Sequence, residues 1–251
     1  MLEGVFTAQE VDELHRELTA LYDEPVDVRV DGSTEEEYLE FRHESLNRSA
    51  AAQRAVGHPR ILEVIEPLLG EDCHVIANTA WRNPPGGSGH GGRYWHIDAG
   101  PHIPRPADVP WDDRIPYPVF AIGAHILLED CPRECGPTGV VPGTHRSGQS
   151  PPLEQVSDSE LTHEGRSPVA LTGEAGDVAL FVSDAWHRRL DPGPGDRGRF
   201  FLQAHYGRRD IAQRIRLTEH VNHLSEQALD RAVTERDRTL LGLHEPGFYD
   251  S

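Results

Sequence analysis

A chain of 251 residues with 24 cationic and 42 acidic side chains carries a formal charge of −18, which makes it a poor match for nucleic acid or an anionic membrane. Every cation is an arginine, and the three cysteines, Cys73, Cys131 and Cys135, form neither a disulfide framework nor a convincing zinc site. No apolar run approaches the ~18 residues that span a bilayer, and an odd number of cysteines with no signal-like apolar segment near Met1 makes free thiols in a reducing cytoplasm the expectation.

Thr7-Ala8-Gln9-Glu10 has the form of a capping box, and Val11, Leu14, Leu18 and Leu21 follow at helical spacing, which predicts a helix over 7–22. A second helix is expected over 35–47. A third is expected over 59–69, with Pro59 in its first turn and Gly70 just past its end. From Cys73 the pattern changes to short β-type runs punctuated by Gly and Pro: 74–82, 93–97, 119–128, 139–141, 169–171, 177–182 and 199–206. Strands spaced this way, with no helices between them, point to a mainly β sandwich or jelly roll. Residues 218–241 return to helix, with Leu224, Ala228, Ala232 and Val233 inward and His220 and His223 on a solvated face. The expected organisation is a single domain over 1–251, with a helical layer over about 1–72, a barrel over about 73–207 and a C-terminal helix over about 218–241. The stretches 83–92, 99–117 and 191–198, rich in Pro and Gly, read as loops within it.

The chemistry centres on Arg93-Tyr94-Trp95-His96-Ile97-Asp98. Residues i and i+2 of a strand share a face, so His96 and Asp98 can offer one metal ion an imidazole and a carboxylate, with Trp95 turned away. Chance alone supplies roughly one His-x-Asp in a chain of this composition, so its weight rests on a third ligand. His187 supplies that ligand, carried by the alternating run 177–182 and exposed by the polar turn after it. Two imidazoles and one carboxylate are the facial triad of non-haem Fe(II) oxygenases, in which positions stay open for a co-substrate and O₂.

Between these ligands, Gly136-Pro137-Thr138-Gly139-Val140-Val141-Pro142-Gly143-Thr144-His145 resembles the Gly-x-x-x-Val-x-Pro-Gly-Ser/Thr-His signature of the phytanoyl-CoA dioxygenase family of Fe(II)/2-oxoglutarate oxygenases. The ordered set of motifs covers about 73–206. The resemblance implies a double-stranded β-helix, or jelly roll, that holds Fe(II) through His96, Asp98 and His187 and uses 2-oxoglutarate and O₂. Similar enzymes reach the far carboxylate of 2-oxoglutarate with an Arg a short way past the second His. Arg197 and Arg199 both qualify, and Arg199 is the choice because it opens the apolar run Phe200-Phe201-Leu202. Thr138 matches the hydroxyl residue that contacts 2-oxoglutarate in similar enzymes, and Asn78 on the first barrel strand is a further candidate. Arg189 is a departure, since relatives often carry at that position a Ser that is another 2-oxoglutarate contact, and the anchoring of the co-substrate is expected to differ in detail.

By the same resemblance the reaction is oxidation of an unactivated C–H of a small molecule, by hydroxylation, desaturation or oxidative cyclisation in specialised-metabolite biosynthesis. A carboxylate at Asp98 argues for oxygen transfer rather than halogenation, and no basic cluster is available for a CoA ester. The alternatives are a cupin-like metalloenzyme that does not use 2-oxoglutarate and an inactive binding protein of the same fold. The stiff, Pro-rich stretch 99–117 follows Asp98 and is expected to form a lid, with 83–92 as a mobile counterpart. Its Trp111 and Asp112, together with Trp186, are the candidate substrate contacts, and the acidic pair Asp112/Asp113 favours a polar or cationic substrate such as a sugar- or amine-bearing metabolite.

Overall fold

The computed structural model describes residues 1–23, 40–43, 45–86, 92–98, 100–211 and 224–244. Helix α1 (Ala8–Ala20) starts where the capping box places it: the Thr7 side chain accepts the Glu10 N–H and the Glu10 carboxylate accepts the Thr7 N–H. It buries Val11, Leu14 and Leu18. The expected helix over 35–47 is interrupted: Glu40 and residues 45–47 are helical, but 41–43 are not. Phe41–His43 is a strand, β1, and its Phe41 lies opposite Trp81 with the two rings 4.2 Å apart. A half-buried aromatic cross-strand pair outweighs local helix propensity here. Residues 35–39 and 44 lie outside the described residues. Three helices follow: α2 (Ser45–Arg48), α3 (Ala50–Val56) and α4 (Pro59–Leu69). Only α4 is legible in the pattern, because α2 and α3 are too short to display a helical period.

The remaining strands are β2 (His74–Asn83), β3 (Ala121–Leu127), β4 (Thr138–Val140), β5 (Val169–Ala170), β6 (Val178–Val182), β7 (His187–Arg189) and β8 (Arg199–Gly207). They form two antiparallel sheets, one ordered β1-β2-β8-β3-β6 and the other β5-β4-β7. The expected strand over 93–97 does not form; only His96 makes a bridge, to His187.

Strand parity divides the large sheet into two working faces. Phe200, Leu202, Ala204 and Tyr206 of β8 pack with Ile122 and Ala124 of β3 against Leu14, Leu18 and Ile61 of the helices. Burying each Leu, Ile or Phe stabilises the fold by about 1.5–3 kcal/mol. The alternate residues of β8, Phe201, Gln203 and His205, face the small sheet together with His125 and Trp81, and this inner face carries the polar groups. Fold and core therefore come from one face of the sheet, and chemistry from the other.

The C-terminal helix is corrected to two: α5 (Glu226–Arg231) and α6 (Glu235–Leu240). Thr234 and Asp237 make a second capping box that restarts the helix, so Val233 lies at the break, 80% exposed, while Ala228 and Ala232 are buried. Residues 218–223, including His220 and His223, lie outside the described residues. Among the described residues no helix is long and apolar enough to cross a membrane.

Candidate metal centre

His96 and His187 are held together by backbone. Each donates its N–H to the other's carbonyl at 3.0 Å, and their rings lie 4.2 Å apart. The signature stretch frames this arrangement. Val140 is in register with His187, Val141 N–H donates to the Trp186 carbonyl, and Thr144 Oγ1 accepts the Trp186 N–H at 2.8 Å. His187 is thus buried at the start of β7 rather than exposed by a turn. Asp98 completes the group, with Oδ1 3.7 Å from His96 Nε2 and Oδ2 3.3 Å from His187 Nε2. One donor atom from each of the three residues lies within 4.8 Å of the others.

The donor set fits a divalent metal on the evidence of its tautomers. His96 Nδ1 sits 2.7 Å from the Tyr94 carbonyl and His187 Nδ1 2.9 Å from the Ala185 carbonyl. A carbonyl only accepts, so each Nδ1 carries the hydrogen and each Nε2 lone pair turns toward Asp98. Burial tends to raise the Asp98 carboxyl, but the His187 and His205 imidazoles outweigh it and hold it well below the usual carboxylate range. Burial lowers His187, and Asp98 more than reverses that, leaving it raised; His96 is lowered by burial and by His187. The centre opens on the His96 side, whose side chain is 41% exposed against 6% for His187.

His205 was not legible as a site residue. Its Nε2 lies 3.1 Å from Asp98 Oδ2, and the only signal for it was inward parity on β8.

Beyond the metal ligands a cavity continues between the sheets, lined by Thr138, Arg189, Arg199, His125, Trp81 and Phe201 among others. Arg199 is fully inside it. Its Nε donates to Asn83 Oδ1 at 2.6 Å and its Nη1 to Thr138 Oγ1 at 3.3 Å, while Asn83 in turn donates to Glu40. Burial, and then the nearby Arg189 guanidinium, push Arg199 down to about 9. Arg197 stays exposed, because Gly198 (φ 82°) turns the chain so tightly that a Cβ there would meet the Asn83 carbonyl at 2.4 Å, and β8 begins only at Arg199. Burial pushes His125 far down, reinforced by Arg199.

Asn78 is the expectation that geometry overturns. It has the parity of Ala80, which points to the helical core, opposite to Trp81, and its Oδ1 accepts the Leu46 N–H. Asn83, five positions along the same strand, stands against Arg199 instead. Trp81 Nε1 and Arg189 Nε are buried there without a hydrogen-bond partner, and such orphaned donors fit a bound carboxylate.

The lid and substrate expectations divide. Trp111 and Trp186 border a separate outer cleft of about 1040 Å³, which His145 also lines. Trp186 is buried with Trp95, Val141 and Leu161, and its indole donates to the Gln149 carbonyl. Trp111 donates to the Ile115 carbonyl and packs edge-on to Tyr117. Asp112 is taken up by Arg114, at 2.6 Å, and Asp113 pairs with Arg146, so the acidic pair is neutralised by the chain itself. The lid is pinned at its base by the buried Asp184, which accepts from His102 Nδ1 at 2.7 Å and approaches Gly100 so closely that a Cβ there would meet Oδ1 at 2.4 Å.

Fold and site together define the class, a double-stranded β-helix whose two imidazoles and one carboxylate could hold a metal ion between its sheets. The chain belongs to the phytanoyl-CoA dioxygenase family, whose model, described as Phytanoyl-CoA dioxygenase (PhyH), matches residues 1–188 and so contains all three metal-centre residues. It is similar to an ectoine dioxygenase of Sphingopyxis alaskensis, 27% identical over 212 residues that cover 74% of this chain and 65% of the relative, under two thirds of that protein's length. Among solved structures, EctD from S. alaskensis with 2-oxoglutarate and 5-hydroxyectoine superposes with a TM-score of 0.64 at 24% identity, covering 85% of this chain and 72% of that one. The epimerase SnoN in complex with Fe³⁺, alpha ketoglutarate and nogalamycin RO gives 0.62 at 20% identity, with 90% and 84% covered. HygX from Streptomyces hygroscopicus with iron bound gives 0.56 at 19% identity, with 84% and 83% covered. At these identities the structures establish a shared fold.

Proposed function

We propose that this chain is an Fe(II)- and 2-oxoglutarate-dependent dioxygenase that oxidises an unactivated C–H bond of a small molecule, by hydroxylation or oxidative cyclisation, in specialised-metabolite biosynthesis. One observation carries the reading: two imidazoles whose Nδ1–H groups are tied to backbone carbonyls turn their Nε2 atoms to Asp98, beside a cavity closed by a buried arginine. His96, Asp98 and His187 would hold the iron, which when bound supplies the oxidising chemistry from O₂ and the decarboxylation of 2-oxoglutarate to succinate. Arg199 and Thr138 orient the co-substrate through its far carboxylate, a charge-assisted contact strengthened by desolvation. His205 holds Asp98 in its charged form, and the pinned lid excludes water.

The outer cleft receives the substrate, with Trp111 as a wall. Its lining mixes Arg105, Arg166, Glu154, Glu164, His163 and Gln149, which supports a polar substrate; a cationic one loses the support of Asp112 and Asp113. The relatives' small-molecule ligands, 5-hydroxyectoine and nogalamycin RO, are consistent with this class. A cytoplasmic location belongs to the same proposal, resting on three unpaired thiols, all buried.

The test is anaerobic addition of Fe(II) and 2-oxoglutarate to metal-free protein. A visible charge-transfer band that needs both components is the expected result. Wild-type protein that binds Fe(II) but shows no band would favour a metalloenzyme without 2-oxoglutarate.

A further inference from the structure

Arg189 is the second cation in the cavity beside the metal centre, and nothing in the proposed reaction uses it. It lies on β7 two residues past His187, so its side chain shares the ligand's face and enters roughly 7 Å deeper along the strand. It stands in register opposite Thr138, the residue whose hydroxyl already accepts from Arg199. The side chain is 5% exposed. Its single hydrogen bond is a long one, from Nη2 to the Cys135 carbonyl at 3.4 Å, and its Nε is buried with no partner.

Arg199 is in a comparable position. Its own partners, Asn83 Oδ1 and Thr138 Oγ1, are neutral atoms, and among the described residues no carboxylate lies within ion-pair distance of either guanidinium. Two like charges in one desolvated cavity are costly, and a purely structural arginine would have its donors satisfied. The arrangement calls for a ligand that brings negative charge and several acceptor lone pairs to this depth. A carboxylate meets that description, because a planar fork of N–H groups matches its two oxygens. The metal centre, two positive charges offset by Asp98, meets the other end of the same molecule.

We propose that Arg189 and Arg199 close on the far carboxylate of the co-substrate as a two-guanidinium clamp, and that Arg189 makes this site selective for dicarboxylic over monocarboxylic keto acids. The proposal rests on the reading of the cavity as a 2-oxoglutarate site. Arg189 is a binding residue in it, and the fold keeps two unpaired cations there because the ligand supplies their counter-charge.

The experiment is calorimetric titration of full-length protein loaded with redox-silent Zn(II), using 2-oxoglutarate and, separately, 2-oxobutanoate, which lacks the second carboxylate. Wild type should prefer 2-oxoglutarate strongly. Arg189→Met should bind 2-oxoglutarate at least tenfold more weakly and 2-oxobutanoate almost unchanged, so the preference ratio falls by that factor. Arg189→Lys, which keeps the charge without the fork, should retain part of the preference. Without ligand, Arg189→Met should melt above wild type, because one of two facing buried charges is gone, and should gain less on adding 2-oxoglutarate. A wild-type preference ratio in Arg189→Met, or an equal loss for both keto acids, overturns the clamp and leaves the cofactor reading standing on Arg199. Failure of Zn-loaded wild type to bind 2-oxoglutarate at all overturns that reading, and the clamp with it.

Discussion

The metal centre and the outer cleft lie on either side of Trp186, and they are built on opposite principles. In the metal centre both histidines are fixed by backbone: two reciprocal N–H···O bonds join His96 to His187, and both Nδ1 atoms are tied to carbonyls. At the cleft the exposed pair Asp113 and Arg146 set each other's charge, and Asp112, beside Asp113 in the chain, is paired with Arg114 in the same way. Backbone anchorage gives preorganised geometry that a metal can use without rearrangement, whereas exposed ion pairs contribute little and re-form easily. On the proposed reading, chemistry belongs to the first region and adaptable recognition to the second.

The comparison breaks most sharply at Asp98. Asp98→Ala, like His96→Ala or His187→Ala, should reduce stoichiometric Fe(II) binding and turnover to background while a cooperative thermal melt persists, because these side chains contribute little to the apolar core. Near-native 2-oxoglutarate consumption by Asp98→Ala without added ligand would remove the triad.

Next in size is Arg199→Ala, which should raise the apparent KM for 2-oxoglutarate by the equivalent of about 2–4 kcal/mol, as expected for a charge-assisted pair in a desolvated site. Arg197→Ala, exposed beyond the Gly198 turn, should do far less. The same arginine sets a pH dependence. Burial and Arg189 hold Arg199 at about 9, well below the ordinary arginine range, so it is charged below that pH, and affinity for the dianion should fall as pH rises through about 9. Titration of Zn-loaded protein at several pH values measures this; affinity unchanged to pH 10.5 would contradict it.

A smaller effect is expected at His205. Replacement by Asn should weaken metal affinity by on the order of tenfold, the usual scale for a group that supports a metal ligand without binding the metal. The smallest effects lie in the cleft. Trp111→Ala should uncouple 2-oxoglutarate decarboxylation from product formation without changing Fe(II) affinity, whereas Asp112→Asn should stay close to wild type, since its partner is Arg114 and not the substrate. Strong uncoupling in Asp112→Asn would restore that carboxylate to the substrate site.

What could be read from the residues follows the same division. His96 and Asp98 form the one His-x-Asp of the chain, and His187, Thr138 and Arg199 match positions of the family that the chain resembles, so the residues that the structure brings together were legible. Strand parity alone does not place His96 and Asp98: His96 bridges to His187, 91 residues along the chain, and 93–97 is not a regular strand. Asn78 and Asn83 show the limit of local reading: they lie on opposite faces of β2, and the register irregularity between Val75 and Ala77 shows how easily its pairing shifts. Arg189 was visible as a departure, yet that Asp196 and Glu40 act on it only from beyond ion-pair distance depends on how the fold places them. The pairing of Asp112 and Asp113 depends on Arg114 and Arg146, and the second of these comes from a different loop.

The most direct measurement is a crystal structure of the protein with Mn(II) and 2-oxoglutarate under anaerobic conditions. One metal ion should be bound by His96 Nε2, His187 Nε2 and Asp98, with the keto acid chelating it and its far carboxylate reaching Thr138 and Arg199. Metal bound at other residues, or a keto acid whose far carboxylate turns away from Arg199 into the outer cleft, would contradict the account.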